Sequence, residues 1–258
     1  MSNTDSGYRT MADDSCVERT EKYRVQISDG RLFLHLANDE NGAMTVMELA
    51  QPNDLPALYT RKMLLPLAFI PSATDVLLIG LGGGQQAKFI HRYLPELRTI
   101  GLEIDAEVVE LARTHFGLPP DDDRLRVVVQ DAADFVRNHG DEQCDLILSD
   151  AFGEGYRPVD ALHTPDFYRE CHRILCPGGV MTVNVYEPTA EWAARFMSTV
   201  SSVFTCRKFI AISPVQGVMA LWKGRPDLDW DAIGDRAARL DSKTGLGFSA
   251  FVDGLKNE

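Results

Sequence analysis

The sequence predicts an α/β fold: a mostly parallel seven-stranded sheet with an antiparallel terminal strand, preceded by a small N-terminal β-hairpin or meander. Three observations predict it. From Pro71 onward, short all-apolar runs alternate with amphipathic helical stretches, as parallel strands joined by crossover helices require. Near the end, RKFIAIS and GVMALWKG lie a short turn apart and read as a hairpin. Before residue 54 the runs YRVQIS (23–28), RLFLHLA (31–37) and AMTVMELA (43–50) are separated by Asp29-Gly30 and by NDENG, which are turn signals. The chain divides accordingly into a flexible N-terminus (1–21), a small β element (22–53) and one sheet-and-helix domain (54–258).

Each element has a local reason. DLPALYTRKMLLPLAFI (54–70) reads as a helix broken near Pro66, whose ring removes a donor and crowds the preceding turn. DVLLIG (75–80) is wholly apolar up to its glycine, as a strand buried on both faces should be. The next helix carries Phe89, Ile90, Tyr93 and Leu94 on one face. RTIGLEI is the second strand, and a helix from Ala106 places Val108, Val109, Leu111, Ala112, His115 and Phe116 on one stripe. LRVVVQ (125–130) and DLILSD (145–150) are the third and fourth strands. Thr164-Pro165 has the chemistry of a helix start, an N-cap hydroxyl followed by proline at the first position. That helix is expected to stop at Pro177-Gly178-Gly179, with VMTVNVY (180–186) as the fifth strand and a further helix near 189–203.

Composition bounds the function. Apolar residues make up 45% and charged residues 25%, an ordinary globular balance. No stretch approaches the roughly 18 consecutive apolar residues of a membrane span, and the N-terminus lacks the apolar core of a secretory signal. A cytoplasmic protein is the expectation. The net charge of −12 repels phosphate backbones and argues against a nucleic-acid partner. The five cysteines are scattered with no CxxC pair, so free thiols are expected and no metal.

Strand ends carry the chemical signal. Gly80, Gly82 and Gly84 lie in a glycine-rich turn between a strand and a helix, where a ligand can approach the backbone closely. Glu103 ends the second strand, 23 residues after Gly80, where a carboxylate accepts hydrogen bonds from ribose hydroxyls; Ile104 follows it. These two features alone fit a nicotinamide dinucleotide as well as an adenosyl ligand. Asp131-Ala132 after the third strand, Asp150 after the fourth, the PGG turn and the terminal hairpin point instead to a Rossmann-like methyltransferase fold binding S-adenosylmethionine or its decarboxylated form. Gln85 also stands where the dinucleotide motif GxGxxG needs its last glycine. Gln86 and Gln85 open the following helix, in reach of a donor carboxylate if one is present.

Further segments carry a family resemblance: LYTRKM (58–63), VLLIGLGGG, LEID, QDA (130–132), LILSDAF, LHTPDFYRECHRILCPGGV and PVQGVMALWKG. With these the chain resembles the polyamine aminopropyltransferases (spermidine synthases), over roughly residues 23–255. The resemblance implies aminopropyl transfer from decarboxylated S-adenosylmethionine to an amine or polyamine, a homodimer, and Tyr59 and Asp150 in the acceptor half. It also exposes departures. The family's glycine loop reads GGGDGG, so Gly83 replaces the aspartate that meets the aminopropyl amine. The family's DSSDP becomes Asp150-Ala151-Phe152-Gly153-Glu154. Glu154 is either a shifted replacement for the second aspartate or a solvated loop residue, and Tyr156 is placed by the loop near the acceptor pocket. The expected catalytic residues are Asp150, Glu154 and Tyr59. Donor contacts are expected from Gly80, Gly82, Gly84, Gln86, Glu103, Ile104, Asp131, Ala132 and Asp150. Two other readings stand beside aminopropyl transfer: methyl transfer from intact S-adenosylmethionine to a small molecule, and a non-catalytic adenosyl-binding relative.

Overall fold

The computed structural model describes residues 15–39, 42–186 and 188–256, with Glu154 described by its backbone alone. The expected N-terminal meander is present over β2 (Tyr23–Ser28), β3 (Arg31–Leu36) and β4 (Thr45–Glu48). Asp29 and Gly30 both take positive φ, 47° and 74°, which gives the two-residue turn the twist its strands need. A strand not anticipated, β1 (Ser15–Arg19), adds to the edge of β2. Residues 15–19 therefore depart from the flexible segment expected over 1–21, whose first 14 residues lie outside those described. All five β1 residues are exposed, so no apolar alternation marks it. The small sheet, in order β1-β2-β3-β4, has no separate core. Its Val25, Leu32, Leu34 and Met47 pack with Val108, Leu111 and Phe116 of the following domain.

The large sheet is built from β5 (Asp75–Ile79), β6 (Arg98–Glu103), β7 (Leu125–Val129), β8 (Cys144–Ser149), β9 (Leu175–Tyr186), β10 (Cys206–Ser213) and β11 (Gln216–Trp222). Its order is β10-β11-β9-β8-β5-β6-β7. Strands β5 to β9 pair in parallel, and β11 runs antiparallel between β9 and β10. This is the Rossmann-like methyltransferase arrangement. The strand order turns back beside β5, so the crevice beyond the carboxyl ends of β5, β6 and β8 is where such sheets take ligands.

Helices α1 (Leu58–Leu64), α2 (Gln85–Tyr93) and α3 (Ala106–His115) follow the predicted pattern, and a 3-10 turn over Leu65–Phe69 takes up the break at Pro66. Three further helices are α4 (Ala132–Asn138), α5 (Pro165–Ile174) and α6 (Ala190–Val203). Thr164 caps α5 as expected, its Oγ1 accepting from the Phe167 amide at 3.2 Å. Two faces of the sheet bury separate clusters. One contains Leu78, Phe89, Leu146 and Trp222, and the other Ile79, Ile147, Tyr168 and Phe204.

Two expectations are corrected. The helix before residue 180 ends at Ile174, and β9 runs straight through Pro177-Gly178-Gly179. Gly178 donates its amide to Lys223 O at 3.0 Å, and Gly179 O accepts from the Lys223 amide at 2.9 Å, so the PGG segment pairs across the sheet. Gly178, with φ 78°, makes a bulge there in place of a helix stop. The hairpin also does not close the fold: α7 (Trp230–Thr244) and α8 (Phe248–Lys256) follow it. Asp229 caps α7, while the Asp241 carboxylate accepts the amides of Gly247, Phe248 and Ser249 at the start of α8. Phe69 meets Trp222, Trp230 and Phe251 edge-on and seats both helices. Among the described residues no helix is long and apolar enough to cross a membrane.

Candidate active site

A cavity of about 680 Å³ opens beyond the carboxyl ends of the central strands and under the small sheet. Its lining includes Gly80, Gly82, Gln85, Gln86, Glu103, Ile104, Asp131, Ala132, Asp150, Tyr59 and Tyr156. Of the expected site residues, Gly84 is absent from that lining. It caps α2 with φ 77°, and a Cβ there would sit 2.7 Å from Leu118, so its glycine serves the turn. The side chain of Glu154 lies outside the described residues; its backbone sits in a single turn after Gly153.

The wall at β5 and β6 is organised by Glu103. Its Oε2 accepts the amides of Leu81 and Gly82 at 3.2 and 3.3 Å, and its Oε1 those of Ile104 and Asp105 at 2.9 and 3.2 Å. One carboxylate thus ties the glycine loop to the end of the neighbouring strand. Gly80 is required on the opposite side, because a Cβ would lie 2.7 Å from Asp150 O and 2.8 Å from Ala151 Cα. Its φ of 88° is also one that favours glycine. Beside Glu103 the Ile104 side chain stands 70% exposed, an apolar surface on the rim of the cavity. Asp131 caps α4 through Oδ1, which accepts the Asp134 amide at 3.0 Å.

The wall at β8, β9 and β11 is built around Asp150. Asn184 donates from Nδ2 to Asp150 Oδ1 at 2.8 Å, and Gln216 donates to Asn184 Oδ1 at 3.3 Å. Tyr59, from α1, adds a hydroxyl hydrogen bond to the same carboxylate. Burial pushes the Asp150 carboxyl up to about 7, against the opposing pull of the Asn184 and Tyr59 hydrogen bonds. The Tyr59 phenol is raised well above its ordinary value, first by burial and then by the Asp150 charge and hydrogen bond. Asp150 is thereby a buried carboxyl poised to exchange a proton near neutral pH.

Sequence reasoning missed Asn184 and Gln216. Asn184 was visible as a polar residue inside the apolar run VMTVNVY, but its partner becomes apparent only when β8 and β9 are side by side. Two expected donors are already engaged. Gln85 Nε2 donates to Pro52 O and Asp54 O at 3.3 and 3.0 Å, and Gln86 Nε2 to Thr60 O at 3.4 Å. His163 lies off the site: it bonds the Tyr168 hydroxyl at 2.9 Å, and burial lowers it to about 4. Among the described residues no group of His, Cys, Asp and Glu could hold a metal ion.

A spermine/spermidine synthase domain matches residues 57–216. A polyamine aminopropyltransferase of Chromobacterium violaceum is 35% identical over 226 residues, 86% of this chain and 85% of its own. The chain belongs to the spermine/spermidine synthase family. Solved relatives share its fold. A probable spermidine synthase from Corynebacterium glutamicum aligns with a TM-score of 0.70 at 21% identity, over 83% of each chain. A spermidine synthase in complex with the transition-state analogue AdoDATO aligns at 0.69 and 22%, over 87% of this chain and 78% of that one.

Against the family's glycine loop, position 83 has a physical explanation. Gly83 is buried and does not line the cavity. A Cβ there would lie 2.6 Å from Thr45 Cγ2 and 3.0 Å from the Phe116 ring. A side chain at position 83 would meet a threonine of β4 and a phenylalanine at the end of α3.

Proposed function

We propose that this member of the spermine/spermidine synthase family is a transferase moving an aminopropyl group from decarboxylated S-adenosylmethionine to an amine or polyamine. The observation that carries this is the buried Asp150 carboxyl, held by Asn184 and Tyr59 at a strand end, in the same cavity as Glu103. Glu103 ends β6 and Asp150 follows β8, two steps apart in the sheet, so at about 4.8 Å per step their strand ends are separated by roughly 10 Å. That length separates a donor half from an acceptor half within one cavity.

The residues fit these roles. Glu103 accepts hydrogen bonds from the ribose hydroxyls in exchange for its two longest amide contacts, those from Leu81 and Gly82 at 3.2 and 3.3 Å, because its four acceptor positions are otherwise taken. Ile104 and Ala132 offer apolar surface to the adenine ring beside Asp131. The glycines at 80 and 82 keep the loop backbone close to the nucleoside. The sulfonium of the donor supplies the leaving group. Attack by the neutral amine forms a carbon–nitrogen bond as the carbon–sulfur bond breaks, and methylthioadenosine departs with the sulfur electron pair. Asp150 takes the proton that the attacking nitrogen must lose. Tyr59 keeps that carboxylate oriented and closes one side of the acceptor half, with Tyr156 on the loop after β8. We extend the reading to a homodimer, as the family resemblance implies, which size-exclusion chromatography with light scattering tests, and to a cytoplasmic location, which subcellular fractionation tests.

The deciding experiment incubates the purified protein with decarboxylated S-adenosylmethionine and either putrescine or cadaverine, and follows methylthioadenosine release. Turnover supports the proposal. Tight binding of intact S-adenosylmethionine with no response to the decarboxylated donor overturns it. One observation favours that second reading, methyl transfer: position 83 carries no carboxylate for the donor's amine, and its surroundings leave no room for one.

A further inference from the structure

Beyond the large sheet's own strand ends, a residue of the N-terminal sheet reaches the donor half of the cavity. Thr45 opens β4, its position set by the Leu34 pairing and by the Met44 amide, which donates to Leu34 O at 2.7 Å. Its Oγ1 accepts the Gly83 amide at 2.7 Å, and Thr45 itself lines the cavity. This hydrogen bond joins the small sheet directly to the glycine loop. Leu81 and Gly82 give their amides to Glu103, Gly84 gives its amide to Leu81 O, and the Gly83 amide goes to Thr45. A second tie lies two residues along β4. The buried Lys88 ammonium of α2 contacts Met47 Sδ at 3.1 Å and donates to Pro52 O at 2.6 Å and to Phe116 O.

We propose that Thr45 is a positioning residue for the donor site, holding the glycine loop in the conformation that accepts the adenosyl ligand. The inference rests on the adenosyl-transfer reading above. An amide left without a partner at a glycine turn lets that turn sample other conformations, because glycine restrains its own φ and ψ least. Thr45 removes that freedom from a strand whose position is set by a different sheet. The donor site is therefore completed from outside the domain that carries Glu103 and Asp150, and the small sheet serves as its third wall.

The test compares Thr45→Val, which keeps the shape and removes the acceptor oxygen, with Thr45→Ser, which keeps the oxygen. Calorimetry with methylthioadenosine should show about a tenfold weaker Kd for Thr45→Val, the scale of one lost hydrogen bond. Thr45→Ser should stay within about twofold of the wild type on the same scale. The donor KM should follow Kd, while kcat and the acceptor KM stay unchanged. Wild-type hydrogen exchange adds a readout that needs no folded variant: the Gly83 amide should be protected, and it should exchange more slowly still with methylthioadenosine bound. Thr45→Val binding as tightly as wild type, or a Gly83 amide exchanging like an open loop, overturns the proposal. Failure of the wild type itself to bind methylthioadenosine would count against the adenosyl site and not against Thr45 alone.

Discussion

Asn184 donates its side-chain amide to Asp150 at 2.8 Å and turns its own oxygen toward Gln216. The orientation is self-consistent, since reversing the amide would set an oxygen against the carboxylate and a nitrogen against a donor. Three strands thus contribute to the environment of one proton-binding group, and Tyr59 supplies a fourth element. The carboxyl is raised to about 7 because the cost of burying its charge exceeds what these hydrogen bonds return.

From this, activity should rise with pH through about 7 on the acid side, as Asp150 loses its proton and becomes able to accept one. Asp150→Asn should lose about 100-fold or more in kcat and lose this limb of the profile. A pH series of kcat/KM on both proteins checks it. An unchanged acid limb in the variant would remove Asp150 as the acceptor.

The same group predicts a stability dependence. Its folded value lies above the unfolded one, so the fold binds this proton more tightly and loses that contribution as pH rises from about 4 to about 7. Comparing melting temperatures at pH 5 and pH 8, the difference between Asp150→Asn and wild type should move in the variant's favour at the higher pH.

Asn184→Ala removes a donor that favours the ionised carboxylate. The Asp150 limb should move upward by about one pH unit, as expected for one hydrogen bond to a charged group. Gln216→Ala reaches Asp150 through Asn184 and should move the limb less. Equal profiles for all three proteins would show that the chain of amides has no influence on Asp150.

Glu103→Gln puts an amide nitrogen where backbone amides need an acceptor, so the glycine loop loses part of its anchor. Methylthioadenosine binding should weaken by about 10- to 100-fold, as loss of charge-assisted hydrogen bonds implies. Calorimetry reads the change directly.

Gly83→Asp restores the family's residue type but not its room. Its Cβ would lie 2.6 Å from Thr45 Cγ2 and 3.0 Å from Phe116. Overpacking of this kind costs about 1–3 kcal/mol, seen as a melting temperature lower by several degrees. A variant as stable as wild type with improved use of decarboxylated donor would mean that the slot opens easily.

The amino-acid sequence by itself determined what local chemistry controls. Asp29-Gly30 set a two-residue turn, Thr164-Pro165 began α5 where expected, and DVLLIG ended in a glycine that the approach of Asp150 and Ala151 requires. Periodicity placed the strands β5 to β8 and the helices α2, α3, α5 and α6, though not α4 between the third and fourth strands, and the strand-end acids Glu103, Asp131 and Asp150 followed from that alternation. Pairing across the sheet was different. Pro177-Gly178-Gly179 has the composition of a helix stop, yet its hydrogen bonds to Lys223 make it part of β9. β1 is exposed throughout, and what organises it lies elsewhere in the chain: the pairing with β2, the contact of Glu18 with His115 and that of Arg19 with the Ala37 carbonyl. Asn184, Gln216 and Thr45 are ordinary strand residues until non-adjacent strands bring them to Asp150 and Gly83. A residue's backbone preferences and periodicity act over a few neighbours, whereas a hydrogen bond between side chains 34 positions apart exists only once the sheet has formed. Tertiary structure therefore decided how Asp150 is held and why a side chain at position 83 would crowd Thr45 and Phe116.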